Sequence, residues 1–471
     1  MSFDSQDRTT GLLRNAAADL LDLRDGCAGW KVHRAAFRAT TLKSVQQLRS
    51  DANQLLRHIL QHAFLTCPYY RDAWRPTGFN GTIRHDTEQI LKSLPLISKD
   101  TIRSHRETLR SRQYSDAQLE IAYTGGTTTT QTRFYRDRDC RLVRIGRQWG
   151  VLEGCGYRRG TRRALVWGMR TDLPHTGRSW TLRAALRRFA ENQDVLACGS
   201  ISEGDLADFY RRLLRSRPAV MYGYPSALAE LANYILEHQL APLQASTTIT
   251  TAERLTADQR ILFKNVFGGD VFNLYCSREH GCVGFECSRH RGFHIDVESV
   301  YLEITREGTV LEPGQAGEIT ITDLVNRGMP MVRHLTGDLG QLSVEPCDCG
   351  SPLPLLTGLD GRETDVIYTP DGRRVPGVLL TDLFTEIDVI RSAQFVQHAV
   401  ESVEVRIIAP AGLTSSDEDR ARAELRQYLG DAIEIRLCVV PAIERNPVSG
   451  KFREVVSYVR SPSSANSGYH D

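Results

Sequence analysis

Lysine is scarce in this chain. Lysine and arginine together number 59 in 471 residues, and six of them are lysine: Lys31, Lys43, Lys92, Lys99, Lys264 and Lys451. A lysine in a distinctive setting therefore carries more weight than usual. Long apolar runs are also missing. None reaches the roughly 18 residues needed to cross a bilayer, so no membrane partner is expected. The opening Met1-Ser-Phe-Asp-Ser-Gln-Asp-Arg8 lacks the charged-then-apolar pattern of a signal peptide, which places the chain in the cytoplasm. Charge of one sign is not in excess: the formal net charge of +2 does not point to nucleic acid as a partner. The 11 cysteines are odd in number and scattered, which argues against a disulfide framework. What remains is a globular composition, 41% hydrophobic and 25% charged, long enough for two or three domains.

Residues 1–45 are polar and helical in pattern around Asp19-Leu-Leu-Asp-Leu23. From Gln46 to Trp74, Leu48, Leu55, Ile59, Leu60 and Phe64 recur mostly at helical spacing, and Pro68 ends that helix. Ser98 is placed to cap the next one. Leu119–Tyr123 and Arg133–Tyr135 read as strands and Asp137–Val151 as a helix. Arg163–Gly168 reads as a buried strand. Residues 169–198 form an arginine-rich insert with a helix at Trp180–Ala190. Its Arg183, Arg187 and Arg188 suit either an anionic partner or a solvated helix face. Strands at 219–223, 247–251 and 270–275 alternate with helices at 227–237 and 257–266, the latter capped by Thr256. That alternation predicts a largely parallel sheet covered on both faces. From His294 the texture becomes a β-meander, with strands at 300–304, 317–323 and 331–335. Gly358–Asp365 reads as a linker. The tail carries a strand–turn–strand at 365–375, strands at 402–408 and 433–440, and a helix at 415–429. Residues after 461 lack the pattern of a folded element. The expected fold is α/β: a large N-terminal domain with a mostly parallel sheet plus a β-meander subdomain, then a small α+β C-terminal domain on a hinge. The expected boundaries are 1–45, 46–361, 362–460 and 461–471.

Four stretches can be read for chemistry. Thr124-Gly125-Gly126-Thr127-Thr128, between two strands, offers backbone N–H groups and hydroxyls that can wrap phosphate oxygens. It equally suits a Gly/Thr hairpin with no ligand, since no Gly-Lys-Ser/Thr closes it. Glu279 lies just past a strand's C-terminal end, the edge where open α/β sheets bind ligands. It equally suits a surface acid. Asp338 sits on the glycine turn Thr336-Gly-Asp338, as a ligand group or a turn former. Lys451 lies in Asn446-Pro-Val-Ser-Gly-Lys-Phe-Arg453, on an exposed turn, as a reactive or a solvated charge.

Taken in order, these stretches resemble the adenylate-forming acyl-ligase superfamily. Within it they look most like the phenylacetate–CoA ligase-like and capsular-polysaccharide-associated adenylases. Leu94-Pro-Leu-Ile-Ser-Lys99, Gly223-Tyr-Pro-Ser226, Ala252-Glu-Arg-Leu-Thr256, Phe285-Glu-Cys287 and Gly292-Phe-His294 contribute. So do Asn326-Arg-Gly-Met-Pro330, Gly361-Arg362 and Ser449-Gly-Lys451. The resemblance covers roughly residues 46–455. It implies ATP-dependent activation of a small, aryl or other organic acid as acyl-adenylate, followed by transfer to CoA.

The resemblance also assigns roles. The loop at Thr124–Thr128 would cradle the β,γ-phosphates of ATP. Ala252, Glu253, Arg254, Tyr275 and Cys276 would flank the adenine. Glu279 would hold Mg²⁺. Asp338, helped by Arg362, would accept from the ribose hydroxyls. Lys451 would stabilise charge in the adenylation transition state, and the small domain would swing about Thr364. Arg278 stands where the family places a threonine against the α-phosphate. The loop continues Thr129-Thr130-Gln131 where the family has Thr-Gly-Lys-Pro, and the hinge Thr364 replaces the usual Asp or Lys. Trp167, Tyr222, Tyr224 and Phe285 are aromatics near the implied acid pocket. His280 would contact substrate or cap its turn.

Cys287, His294, Cys347 and Cys349 form two knuckles suited to a tetrahedral structural zinc. His290 is the substitute for His294, which could instead line the acid pocket. Two other functions stay open. One is adenylation in a specialised pathway with an amine or carrier-protein thiol as acceptor, or of an unusual acid such as nitrite. The other is a non-catalytic nucleotide-binding homologue.

Overall fold

The computed structural model describes the chain apart from residues 1–2, 25–26, 84–85, 124–132, 168–181, 198–200, 254, 361–365, 377–379, 381–382, 385–386, 388, 391, 442, 444–454 and 460–471. Four helices open it: α1 (Phe3–Arg24), α2 (Trp30–Thr40), α3 (Val45–Thr66) and α4 (Pro68–Trp74). Helix α3 ends just before Pro68 as expected, and Pro68 also opens α4. Proline has no N–H to continue α3, and its fixed φ suits the first position of a new helix. Short helices α5 (Thr87–Ser93), α6 (Lys99–Ser104) and α7 (Arg106–Leu109) follow. Ser98 caps α6 as expected, its hydroxyl accepting from the Thr101 N–H at 3.1 Å.

The hairpin of β1 (Leu119–Tyr123) and β2 (Arg133–Asp137) is antiparallel. Asp137 then caps α8 (Arg138–Gly154), accepting from the Cys140 N–H at 2.8 Å. The main elements follow in order: β3 (Arg163–Trp167), α9 (Leu182–Glu191), β4 (Gln193–Ala197), α10 (Glu203–Ser216), β5 (Val220–Gly223), α11 (Pro225–Glu237), β6 (Thr247–Thr251), α12 (Ala257–Phe267) and β7 (Asp270–Ser277). After them come β8 (Gly281–Phe285), β9 (Phe293–Ile295), β10 (Val300–Arg306), β11 (Thr309–Val310), β12 (Gly317–Asp323), β13 (His334–Leu342) and β14 (Leu355–Asp360). The twelve strands from β3 to β14 form one sheet, ordered β11-β10-β12-β13-β14-β9-β8-β7-β6-β5-β3-β4. Strands β4, β3, β5, β6 and β7 are parallel neighbours. From β7 to β8 onward every pair is antiparallel. The expected meander is thus hydrogen-bonded onto the parallel half.

Three expectations shift. The insert over 169–198 includes β4, an edge strand of the main sheet. Only Leu196 of its five residues is buried, so no apolar run announces it. The strand expected at 331–335 begins at His334. Met331 and Val332 are apolar because they plug the core between α3 and α4, not because they pair. Gly358–Asp360, read as linker, closes β14.

The strands alternate between two cores, as the period of two requires. Val166, Met221 and Val271 face α10, α11 and α12. Leu165, Tyr222 and Phe272 face α8 and α2. Helix α2 lies hard against α8 because Gly146 and Gly150 leave a groove there. A Cβ at Gly146 would stand 2.3 Å from the Trp30 carbonyl oxygen.

The C-terminal part has a hairpin, β15 (Val366–Tyr368) and β16 (Arg374–Pro376), and a separate four-stranded sheet. That sheet comprises β17 (Ser392–Ala399), β18 (Ser402–Ile408), β19 (Glu434–Val439) and β20 (Val455–Ser457). Helix α13 (Ser415–Leu429) buries Ala421, Leu425 and Leu429 against it. Among the described residues no helix is long and apolar enough to cross a membrane.

The α2–α8 contact yields a test. Gly146→Val should destabilise by about 3 kcal/mol, because the obstructing atom is backbone and cannot turn away. Gly154→Ala, with nothing within 4 Å of the new Cβ, should change stability by less than about 1 kcal/mol. Thermal unfolding of the two variants measures both.

Candidate active site

The parallel strands end at a shared edge. Just past β6, Ala252 has φ +72°, a left-handed conformation uncommon outside glycine. Its side chain is exposed at this edge and Glu253 is half-buried beside it. One strand over, Tyr275 is buried on β7, and its hydroxyl donates to Asp338 Oδ2 at 2.8 Å. Burial, and then the Asp338 carboxylate, push the Tyr275 phenol well above its ordinary value, so it remains a donor. Asp338 does not sit on a free turn. It lies inside β13, after Gly337 at φ +84°, where the β12–β13 register slips between Glu318 and Thr320. The Asp338 N–H donates to Thr336 Oγ1 at 3.1 Å. Strand pairing thus brings together two acid-bearing stretches about sixty residues apart.

Between β7 and β8, Arg278, Glu279 and His280 form the reversing turn. Glu279 is buried, and no described residue hydrogen-bonds its carboxylate. A buried, unpartnered carboxylate at a sheet edge suits a hard cation. Its backbone is held firmly: Arg144, from α8, donates to the carbonyl oxygens of Arg278 (3.2 Å) and Glu279. The same guanidinium pairs with Asp323 at 2.5 Å. Burial raises the Asp323 carboxyl, but Arg144 and His280 outweigh it and hold the group down to about 2. His280 is buried in this cluster, its Nε2 2.9 Å from His334 Nδ1 and its Nδ1 3.8 Å from Asp323. It faces the interior of the cluster.

The aromatics divide. Trp167, Tyr222 and Phe285 join the core on the α8 side, together with Cys276 and Cys282. Trp167 lies 5.7 Å from Tyr222 and 4.6 Å from Tyr224, ring to ring. Tyr224 belongs to the opposite face. Phe37 of α2 meets Phe285 edge-on at 5.5 Å, a contribution from the N-terminal helices that their polar sequence does not announce. Cys276 and Cys282 face each other across β7 and β8. A hydrogen bond from the Cys282 thiol lowers the Cys276 thiol and raises Cys282.

The donor atoms of Cys287, His294, Cys347 and Cys349 all lie within 4.8 Å of one another. Cys287 Sγ is 3.8 Å from Cys347 Sγ, and Cys349 Sγ is 3.4 Å from His294 Nε2. These are edges of the size a zinc–thiolate tetrahedron needs, given Zn–S bonds of about 2.3 Å. The pairing of β9 with β14 sets His294 against Leu355, near the Cys347 knuckle. Burial holds His294 below the ordinary imidazole range, favouring the neutral form that ligates. His290 is engaged elsewhere, 3.0 Å from Asp270 and 3.0 Å from Arg260, so His294 completes the cluster. His294 also contacts the Phe285 ring at 5.9 Å. Thr124, Gly125, Gly126, Thr127, Thr128, Arg254, Arg362, Thr364 and Lys451 lie outside the described residues.

Arg144 and Asp323 escaped the sequence reading. Arg141, Arg144 and Arg147 recur every three residues along α8, and such spacing ordinarily marks a solvated face. The sign of their effect can be tested. Asp323 is lowered in the folded state, so its stabilisation is complete above about pH 4 and is lost as pH falls towards about 2. The gap in unfolding free energy between wild type and Asp323→Asn should shrink over that window. Tyr275→Phe, which leaves Asp338 without this donor, should cost about 1–2 kcal/mol at neutral pH. Denaturant titrations at several pH values check both.

Residues 367–458 match the family model of the CapK C-terminal domain. The protein CapK of Staphylococcus aureus is 23% identical over 432 residues, covering 89% of this chain and 91% of that one. The phenylacetate–coenzyme A ligase of Pseudomonas putida is 23% identical over 439 residues, covering 88% and 95%. A 2-hydroxyisobutyryl-CoA ligase, solved with 2-HIB-AMP and CoA in its thioesterification state, superposes with a TM-score of 0.60 at 19% identity. That match covers 89% of this chain and 91% of that one. Over most of its length the chain is thus similar to CapK and to a phenylacetate–CoA ligase, and it shares the fold of an acyl-CoA ligase.

Proposed function

We propose that this protein is an AMP-forming acid–thiol ligase, which activates a carboxylic acid as acyl-adenylate and passes the acyl group to CoA. The observation that carries the reading is the sheet edge of buried Glu279 and Tyr275 with half-buried Asp338, in a chain that aligns along most of its length with a phenylacetate–CoA ligase. A carboxylate oxygen attacks the α-phosphorus of ATP, and the bond to the β-phosphate oxygen breaks, releasing pyrophosphate. The CoA thiol, losing its proton, then attacks the acyl carbon and AMP leaves. The first step joins two anions, so alignment and neutralisation dominate its catalysis.

Each residue has a part in that. Glu279 would hold Mg²⁺, which when bound neutralises phosphate charge. Asp338, kept in place by Tyr275, accepts from the ribose hydroxyls, with Arg362 beside it. Ala252, Glu253, Arg254 and Cys276 border the adenine. Thr124 to Thr128 cradle the phosphates. Arg278 and Lys451 supply positive charge at the α-phosphate. Trp167, Tyr222 and Phe285 wall an acid site suited to a small aryl or comparably compact acid. Cys287, His294, Cys347 and Cys349 would hold a structural zinc, since four protein ligands leave no open position. Residues 46–361 form the adenylation domain, and residues 362–460 move about Thr364. The protein works in the cytoplasm. The altered loop at Thr129–Gln131 and the threonine hinge favour one second reading: adenylation with an amine or carrier-protein thiol as acceptor.

Pyrophosphate release from ATP and Mg²⁺ across aryl, aliphatic, amino and inorganic acids, with and without CoA, tests this. Acid-dependent release with CoA consumption is expected, and Lys451→Ala should reduce it at least ~100-fold. Release without CoA consumption selects the second reading. Release with no acid, or activity unchanged in Lys451→Ala, overturns both. Metal analysis should find one zinc per chain, lost in Cys347→Ser together with thermal stability.

A further inference from the structure

The Arg144 guanidinium is a buried cation at the junction of four structural pieces. It belongs to α8. It donates to the carbonyl oxygens of Arg278 and Glu279, in the turn that carries Glu279, whose carboxylate no described residue hydrogen-bonds. It pairs with Asp323, at the end of β12. The other Asp323 oxygen, Oδ1, accepts from the N–H groups of Val325 (2.8 Å) and Asn326 (3.1 Å). Asn326 in turn donates through Nδ2 to the Tyr135 carbonyl of β2 at 2.9 Å. Asp137, at the end of β2, closes the circuit by accepting from the Arg327 and Gly328 N–H groups at 2.8 and 2.9 Å. The turn carrying Glu279 and the base of the hairpin carrying residues 124–132 are therefore joined through one ion pair.

Two features show that the arrangement needs arginine. Three acceptors shared between Nη1 and Nη2 suit a planar guanidinium, whereas an ammonium concentrates its donors at one point. Gly281 makes room for the stem: at φ +76°, its missing Cβ would stand 3.1 and 3.2 Å from Arg144 Cγ and Cδ. A buried ion pair is poor value for stability alone, since an apolar pair of similar volume often does as well. What this pair supplies is geometry.

We propose that Arg144 is a positioning residue. Through the Arg278 and Glu279 carbonyls and Asp323, it sets the Glu279 carboxylate in register with the β1–β2 hairpin. Arg144 touches neither nucleotide nor acid in this scheme. The inference rests on the cation-binding role given to Glu279 above.

Calorimetric titration of ATP into the full-length protein over a range of Mg²⁺ concentrations tests it without requiring the acid. Groups that orient a metal ligand typically change metal affinity 10- to 100-fold when lost. Arg144→Lys should accordingly raise the Mg²⁺ concentration for half-maximal ATP binding about 10-fold. In the Glu279→Gln background, where the ligand is already removed, the same change should add less than about 2-fold. Should Arg144→Lys not fold, Asp323→Asn replaces it and is expected to give the same pair of results. Wild-type Mg²⁺ dependence in the folded variant, or an equal loss in both backgrounds, overturns the proposal. So does wild-type ATP binding that is indifferent to Mg²⁺. Acid-dependent pyrophosphate exchange on the same preparations judges the ligase reading separately. A protein that binds ATP with Glu279-dependent Mg²⁺ response yet exchanges with no acid refutes that reading and leaves the positioning role to the calorimetry.

Discussion

One buried ion pair, Arg144 with Asp323, meets the hardest constraint in this fold. Moving either charge from water into the interior costs several kcal/mol, and removing one partner would strand the other. The structure answers by surrounding both with directed polar groups. Asp323 receives Arg144 and two backbone N–H groups, with His280 nearby, and Arg144 reaches two carbonyls besides the acid. These groups come from where the sheet changes character. Strand β7 is the last parallel member and β8 the first antiparallel one. A parallel sheet binds ligands at its carboxyl edge, and here a reversing turn stands at that edge. The turn must be held, and α8 holds it.

The same helix anchors the N-terminal segment. Arg147, one turn beyond Arg144, makes a two-oxygen contact with Asp296 and reaches Glu298 at 3.0 Å. Glu298 also binds Lys43 and Thr40, each at 2.5 Å. On the far side, Glu153 pairs with Arg34 and Arg38 of α2. With the glycine groove on α8, these contacts make α2 part of the main domain's wall, and Phe37 carries it to Phe285. A segment whose own sequence shows only polar helix thus contributes to the aromatic face beside the candidate site.

Much of this was legible beforehand, for a physical reason. The parallel strands β5, β6 and β7, their caps and α13 are written in local patterns of period and capping, which survive without tertiary context. Ser98 and Thr256 cap where they were expected because capping is a contact over three residues. What failed to show depends on partners far away. Strand β4 has one buried residue and exists because β3 offers it an edge. Pro68 ends α3 as expected, and that it also begins α4 did not show. Asp338 looks like a turn acid, but the register slip of β13 makes it a strand acid facing Tyr275. Arg144 looks solvated because its acceptors lie 134 or more residues away. The Cys and His donors could be named from their types, whereas the choice of His294 over His290 needed the geometry.

The two candidate cation positions are kept apart by chemistry as well as by place. The knuckles of Cys287, His294, Cys347 and Cys349 offer soft sulfur and imidazole in a closed set. Magnesium, which demands oxygen and dehydrates reluctantly, has no use for it. Glu279 offers one hard oxygen group, too few protein donors to hold zinc firmly. The closed set also spans residues 287 to 349. Joining its ends restrains the loops between β8 and β14, where loop-closure entropy makes an unrestrained chain costly to order. Strand β13, which carries Asp338, lies within that span. A cation at the knuckles would therefore act on the Tyr275–Asp338 edge only through the order of the antiparallel half. Its removal should loosen the span that carries both Asp323, at the end of β12, and Asp338, on β13, whereas Arg144 on α8 lies outside it.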